Sequence, residues 1–525
     1  SRTVRGPRTH FGLGSRLKAD VIRIVWTNGV PQFLYFARTD QELIESQELK
    51  GSCAFVYGWN GEGYEFLTDA TWRSALGMPL GIMAGVATGA TRIYAPPASS
   101  TEYLRLPPGS LVPRDGKYQL QITEELWEVA YMDEVKLLAV DHPDSVEFFV
   151  DEKFVPPSPP RLALYRVGER LPPVTATDGN GTDVSDLLSA RDFRYVSDLR
   201  ARRYQGIVAP HEIILELPEA VARAERPFLF LQGWIFPSDA SINVAVSQGD
   251  GPQVTSPSLE VPDGRGGWKT VIPDIGFPSG KNKTVVVDLG GLLVPESPRV
   301  RIRTNVQIYW DHAFFAVGDV AGPDLQADAE TAVSTLSGVL PGSGGGDAVS
   351  GTDGELRVRL LRTVTADLHY RGFSREYRRG GRFGPHWFEY DDVSQENPWL
   401  PIRGRYTRFG DVLPLIGSSD DMYVVMAPGD EMTVEFDAEV PPPPPGWTRT
   451  FLLYTDGWIK DADMNTATGN TVEPLPFHAQ SEYPYGAGEA FPTDPERRDF
   501  VDRYLTREIT GSMRGLGPYG VPAGN

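Results

Sequence analysis

Between Val300 and Trp310 apolar and polar residues take turns. Val300, Ile302, Thr304, Val306, Ile308 and Trp310 alternate with Arg301, Arg303, Asn305, Gln307 and Tyr309. A period of two predicts an antiparallel strand with one face on a core and one in water. Ile302, Val306 and Ile308 are therefore expected inward, and Arg301, Arg303 and Gln307 outward, because a slip of one residue would bury two arginines. Upstream, Phe228, Phe230, Leu231 and Ile235, then Ile242, Val244 and Val246, mark strand-length runs broken by Pro237, Ser238 and Asp239. Thr284 to Leu289 (TVVVDL) adds a further strand. Residues 226–320 are thus predicted to form a central β-sandwich or jelly roll.

The same punctuation recurs on both sides. Val21, Ile22, Ile24, Val25 and Trp26 predict a strand, Asn28-Gly29 a hairpin turn, and Phe33 to Phe36 the return strand. WNGEGYEF predicts a second hairpin, in which Trp59, Tyr64 and Phe66 can pack together. With the strand-rich run Tyr118 to Val150 it belongs to a β domain over 48–167. Residues 168–225 form a connector with helix-like spacing at Leu187, Leu188 and Leu199. Residues 321–355 end in PGSGGGDAVSGTDGE and predict a flexible linker. A second sandwich, 356–483, carries an aromatic and arginine-rich insertion and the strands MYVVM and MTVEFDAEV. The run Pro441 to Pro445 is a rigid spacer or strand terminator. GWIKDADMN (Gly457 to Asn465) echoes GWIFPSDASIN (Gly233 to Asn243), which points to an internal duplication of the sandwich. The tail, 484–525, holds one short helix at PERRDFVDRYLTREI. The expected fold class is mainly β, with several antiparallel sandwiches in series and short connecting helices.

Composition narrows the setting. A chain of 525 residues is too long for one core and predicts about three or four domains. A formal charge of −20 repels nucleic acid and leaves carboxylates for divalent cations. Cys53 is the single cysteine, so no intrachain disulfide forms and no thiolate cluster holds a metal. No apolar run reaches the length of about 18 residues that a membrane-spanning helix needs. The chain starts at Ser1 without a signal-peptide pattern, so the numbering is expected to begin inside a larger or processed precursor.

HFGLG (His10 to Gly14), followed by VIRIVWTNGVPQ, resembles the ASPIC/UnbV module, and SCAFVYGWNGEGYEFLTDATW resembles the continuation found in proteins that carry it. The first match covers roughly the first 40 residues and lacks the module's usual beginning. The family offers no agreed catalytic residues to carry over. The resemblance implies an extracytoplasmic bacterial interaction protein, with the calcium association that accompanies FG-GAP propeller repeats; those repeats are not in this chain.

Catalytic signatures are scarce. The sequence has no HExxH and no G-x-S-x-G, and FPSGKNKT (Phe277 to Thr284) lacks the glycine spacing of a phosphate loop, so a turn between strands is the expectation there. Two acidic runs offer alternating oxygen ligands for calcium. One is Asp178, Asn180, Thr182, Asp183 and Asp186; the other is Asp456, Asp461, Asp463 and Asn465. The bland alternative for each is a solvated Asx turn or helix cap. Tyr377, Phe383, Trp387, Phe388, Trp399, Arg403, Arg405 and Tyr406 sit in the aromatic and arginine-rich segment, and such residues are enriched at interface cores. Ordinary packing and sugar stacking are the alternatives for that segment. The expected function is a non-catalytic exported surface or periplasmic protein that binds other protein chains in an assembly. A carbohydrate-binding protein and a hydrolase of extracellular polymers are the other readings.

Overall fold

The computed structural model describes residues 6, 8–26, 31–35, 37–44, 54–71, 75–79, 101–154, 162–248, 253–317, 356–378 and 386–510. These residues are mainly β, in antiparallel sheets with few and short helices. Strands β1 (Val21–Val25) and β2 (Pro31–Tyr35) form the expected first hairpin. Then come β3 (Ala54–Trp59), β4 (Tyr64–Ala70), β5 (Glu102–Arg105), β6 (Lys117–Thr123) and β7 (Glu128–Pro143). The middle of the chain supplies β8 (Thr175–Asp178), β9 (Ile207–Glu216), β10 (Phe228–Ile235), β11 (Ser258–Pro262), β12 (Trp268–Ile272), β13 (Lys283–Asp288), β14 (Arg299–Val306) and β15 (Ile308–Ala316). After the linker follow β16 (Thr363–Tyr370), β17 (Phe373–Arg378), β18 (His386–Ser394), β19 (Asp430–Asp437) and β20 (Trp447–Asp461). Helix α1 spans Ala240–Gln248, and α2 spans Pro495–Tyr504 behind an Asp494 cap. No helix among the described residues is long and apolar enough to cross a membrane.

The central sandwich reaches beyond the expected 226–320, because β8 and β9 come from the stretch 168–225 that reads as a connector. One sheet runs β8-β9-β14-β11-β12, the other β13-β10-β15. Leu229, Leu231, Ile302, Ile308, Trp310 and Phe315 fill the core between them. The flanking stretches 48–167 and 356–483 together make a second sandwich, because β7 lies beside β20 from Pro143↔Trp447 to Glu128↔Asp461. Its sheets contain the runs β16-β19-β6-β3-β4 and β5-β20-β7, with Gly410–Asp411 beside β16 and Arg357–Leu360 and Val424–Met426 beside β7. Val56, Ile122, Tyr131, Val434, Leu453 and Trp458 share its core. Pairing so distant in sequence leaves no local pattern, which is why the two stretches read as separate domains in series.

The two sandwiches have the same plan. Strands β16, β19, β6, β3 and β4 occupy the places of β8, β9, β14, β11 and β12, and β5, β20 and β7 those of β13, β10 and β15. In chain order one sandwich is a cyclic permutation of the other, opened between β7 and β16 to admit its copy. The registers agree at the echoed Gly-Trp-Ile. Gly233, Trp234 and Ile235 face Trp310, Tyr309 and Ile308; Gly457, Trp458 and Ile459 face Met132, Tyr131 and Ala130. Both ladders are irregular just before the glycine, leaving Asp311 and Asp133 as the extra residues of their bulges. The turns that these aspartates hold also correspond. Asp311 accepts the backbone N–H of Asp192 and Phe193, and Asp133 those of Asp420 and Asp421. Phe193 and Asp421 both take left-handed φ, +64° and +69°.

Two expectations about the central block need correction. Ile242, Val244 and Val246 lie in α1, not in a strand: Asp239 Oδ1 accepts the N–H of Ile242 at 2.7 Å and starts a helix after the Pro237 break. Gln307 points inward. Alternation holds for Arg301 and Arg303 but ends after Thr304, because the chain crosses there from one sheet to the other. Gln307 sits at the crossing, accepting from Gly206 N and donating to the Tyr309 hydroxyl at 2.7 Å. Asn305 is likewise buried on Thr255 and Gln253, and β15 is covered on both faces.

The smaller elements follow their chemistry. Asn60 Oδ1 accepts the N–H groups of Glu62 and Gly63 to close the β3–β4 hairpin, and Trp59 meets Tyr64 at 5.4 Å. Phe66 packs on Phe55 and Tyr57. The stretch 168–225 holds two short helical segments, Asp186–Leu188 and Glu219–Ala222. The Asn28-Gly29 turn, the 321–355 linker and Phe383 lie outside the described residues.

Candidate functional site

Comparing the two sandwiches separates scaffold from site. Asp133 and Asp311 do the same backbone work in both, so that role belongs to the fold. Around Asp133, however, one sandwich adds side chains that its copy lacks. Asp456 stands where β10 has Gln232, Asp421 where the copy has Phe193, and Ser419 where it has Arg191. His478 comes from the loop after β20.

These side chains converge. His478 Nδ1 lies 2.7 Å from Asp421 Oδ1, which also accepts the His478 backbone N–H at 2.9 Å. Its Nε2 lies 2.9 Å from Asp456 Oδ2 and 3.1 Å from Ser419 Oγ, and Ser419 donates to the same Asp456 oxygen. The ring stands edge-on to Trp458 at 4.5 Å. Asp133 and Asp456 are buried, whereas His478 and Ser419 reach solvent. Asp456 Oδ1 is buried with no hydrogen-bond partner.

Electrostatics follow from this crowding. Burial alone would lower the His478 imidazolium, but the hydrogen bonds to Asp421 and Asp456, helped by the charges of Asp456 and Asp133, push its pKa up to about 10. Burial raises Asp133 to about 8, against the Asp421 N–H and the charge of His478. Asp421 is also desolvated, yet its bonds to His478 and Tyr423 hold it below the usual carboxylate range.

Among the described residues, Asp133, Asp456 and His478 are the group of three whose ligand atoms all lie within 4.8 Å of one another. Nδ1 is bonded to Asp421 and lies 3.7 Å from Asp133 Oδ2, whereas Nε2 faces Asp456. A carboxylate on one imidazole nitrogen fixes tautomer and ring, as it does for metal-binding histidines.

The sequence-predicted residues fall in three places. Asp456 belongs to this centre. Asp461, Asp463 and Asn465 do not: they meet the start of α1, where Asp463 Oδ1 accepts from Ser241 Oγ and Asn465 Nδ2 donates to it, both at 2.7 Å. Asp463 is the counterpart of Asp239, and its Oδ1 accepts the Asn465 N–H as Asp239 Oδ1 accepts that of Ile242. Burial first, then the charges of Asp463 and Asp239, hold Asp461 well above the carboxylate range despite its Thr466 partner. The other run is a surface turn: Asp178 Oδ1 accepts the N–H of Asn180 and Thr182, Asp183 Oδ1 that of Ser185, and Asp186 pairs with Arg194.

The aromatic segment requires a correction. Trp399 and Tyr406 are interior residues of their own chain, 7% and 0% exposed, with Trp399 Nε1 donating to Glu125 O and the Tyr406 hydroxyl to Ile402 O. Phe388 packs on Phe55 at 4.4 Å. Tyr377 is exposed and donates to Asp392; it pairs in register with Trp387 on the β17–β18 hairpin. Arg403 and Arg405 are exposed, the latter beside Glu473. Trp399, Tyr406 and Phe388 therefore pack within their own chain, whereas Tyr377, Arg403 and Arg405 are exposed. Trp399→Ala is expected to lower unfolding stability by about 3–5 kcal/mol, with no dependence of the loss on protein concentration. Chemical unfolding at two concentrations checks this.

Asp133, Ser419, Asp421 and His478 are the residues that sequence reasoning missed. A single histidine in PLPFHAQ carries no local ligand spacing. The findable signal was the duplication: D-V-x-x-L followed by D-x-x-Y-V occurs at 183–196 and at 411–424, and L-x-x-V-T-A at 171–176 and 361–366. Searches of family models, of characterised proteins and of solved structures return no match to this chain.

Proposed function

We infer that this chain is a non-catalytic, metal-dependent binding protein. Asp133, Asp456 and His478 hold one divalent cation, whose open positions take an oxygen-bearing group of a partner molecule. The observation that carries the reading is the orphaned, buried Asp456 Oδ1 beside a histidine whose other nitrogen is already fixed by Asp421. An imidazole with two carboxylates suits zinc or a similar transition metal, whereas calcium takes about six to eight oxygens. Of the residues expected to bind calcium, Asp456 is thus assigned to a different ion. Binding to another protein chain in an extracytoplasmic setting, as the sequence resemblance implies, remains the proposed context.

A hydrolase is the second reading, because Ser419, His478 and Asp421 fall in the order of nucleophile, base and orienting acid. The pinch by Asp456 argues against it. A histidine held to about 10 is protonated at neutral pH and accepts nothing from Ser419.

Titration calorimetry with zinc tests the proposal. Wild type is expected to bind one equivalent. Asp456→Asn and His478→Ala should abolish binding, and Asp421→Asn should weaken it about 10- to 100-fold. Protons must leave before the cation enters: below pH 8 from both His478 and Asp133, and between about 8 and 10 from His478 alone. Affinity should therefore rise with pH, more steeply below 8 than above it. Zinc binding unchanged in both ligand variants sinks the metal reading. Turnover of p-nitrophenyl acetate that is lost in Ser419→Ala would favour the hydrolase instead.

A further inference from the structure

The second feature that one sandwich has and its copy lacks is an insertion. Where the central sandwich turns from Asp178 to Asp183 through a short exposed loop, its partner runs from Asp367 to Asp411 through the β17–β18 hairpin and the Trp399 segment. The insertion folds back over the joint between the sandwiches and roofs a cavity of about 160 Å³. Phe55 comes from one sandwich, Trp234 and Lys281 from the other, and Phe388, Trp399 and Glu376 from the insertion. All three parts of the chain are needed to make the space.

Lys281 is the chemically telling wall residue. Its side chain is 10% exposed, and its ammonium lies 4.8 Å from the ring centre of Phe55, 5.7 Å from Trp234 and 6.0 Å from Phe388. That ammonium reaches Asp69 Oδ2 only at a long 3.5 Å. Asp69 cannot serve it fully, because the same carboxylate takes the Lys281 backbone N–H at 2.9 Å and lies 3.4 Å from the Lys283 ammonium. Lys283 is better provided for, donating to Thr68 Oγ1 and to Asp69 O. One carboxylate between two buried ammoniums leaves hydrogen-bonding capacity on Lys281, directed among aromatic rings. Of the two wall carboxylates, Glu125 is held by Ser374 N, Ser374 Oγ and Arg371, and Glu376 is half-buried on the hairpin.

We propose that this cavity binds a small aromatic carboxylate of one-ring size, its carboxylate on Lys281 and its ring against Trp234 and the packed pair Phe55 and Phe388. The volume suits one ring, since a cavity of roughly 150 Å³ holds benzene. Flat walls reward a flat body, and a desolvated ammonium with spare donors rewards an anionic oxygen more than a neutral one. The probe is benzoate and its neutral control benzamide.

The experiment is calorimetric or ligand-observed NMR titration of the full chain, with chelator present so that the outcome is independent of the metal centre. The probe is expected to bind saturably, with the amide at least about tenfold weaker. Lys281→Met should weaken the probe by a similar factor. Phe388→Ala, on the half-buried hairpin, should weaken acid and amide alike and keeps the test open if Lys281→Met does not fold. Circular dichroism checks each variant. Absence of saturable binding to wild type, equal binding of acid and amide, or wild-type affinity in a folded variant would overturn the proposal.

Discussion

Asp69→Asn is expected to cost about 3–5 kcal/mol of unfolding stability and to uncouple the two sandwiches. Asp69 closes β4 of one sandwich, and its carboxylate reaches into the 279–283 turn of the other. Neither Asp69 nor Lys283 has solvent exposure at its side chain. The fit is tight on the acid's far side too: a Cβ at Gly280 would stand 2.2 Å from Asp69 Oδ1. Asparagine keeps an oxygen for the Lys281 N–H but removes the charge that Asp69 shares between the two ammoniums. Lys283 then keeps Thr68 and the residue-69 carbonyl as hydrogen-bond partners and Glu152 as the remaining nearby carboxylate, and removing one member of a buried pair costs more than removing both. Lys283→Met in the Asp69→Asn background should therefore recover part of the loss. Urea unfolding followed by tryptophan fluorescence and by circular dichroism is the measurement. Coincident single transitions in wild type that separate into two in Asp69→Asn mark the pair as the coupling element. Coincident transitions and a loss under about 1 kcal/mol would mean that apolar contacts at the joint suffice.

How much of this was legible in the sequence depends on whether the cause was local. The β3–β4 hairpin was readable because Asn60 makes its own turn, and Thr284 to Leu289 because a run of β-branched residues has few other uses. Arg301 and Arg303 alternate outward as expected, but nothing local marks Gln307 as the crossing between sheets. Its burial is set by Gly206 and by a strand covered on both faces. The α1 helix was hidden for a related reason. Alternating Ile242, Val244 and Val246 fit a strand as well as a helix, and the Asp239 cap decided the matter. The candidate site shows the same division. Asp456 stands out in an acidic run, yet its working partners are Asp133 and His478, which tertiary pairing brings to it. What did reach across the sequence was repetition, and only the Gly-Trp-Ile echo was long enough to notice unaided. Its meaning came from the bulge before each glycine.

That bulge gives the second large expected effect: Gly457→Ala and Gly233→Ala should each destabilise the chain by about 3 kcal/mol or more. A Cβ on Gly457 would sit 2.2 Å from Tyr131 O, 3.2 Å from Tyr131 C and 3.3 Å from Met132 Cα, all backbone of the neighbouring strand. On Gly233 it would meet Tyr309 O at 2.6 Å and the Trp310 ring at 2.9 Å. Neither neighbour can retreat, since β7 and β15 are buried along almost their whole length. The glycine is what allows the two strands to close up beside the extra aspartate. Gly63→Ala is the control, having nothing within 4 Å of its added Cβ, and should change stability by less than about 0.5 kcal/mol. The two buried variants differ in one further respect. Pushing on Tyr131 and Met132 displaces the bulge that carries Asp133, so Gly457→Ala should also weaken zinc binding. Gly233→Ala acts on the copy that lacks the proposed metal site and should leave affinity unchanged in the protein that remains folded. Equal zinc affinity in both variants would mean that the bulge does not position Asp133. Stabilities indistinguishable from Gly63→Ala would mean that neither glycine is required for the close approach, and the shared bulge would lose its structural significance.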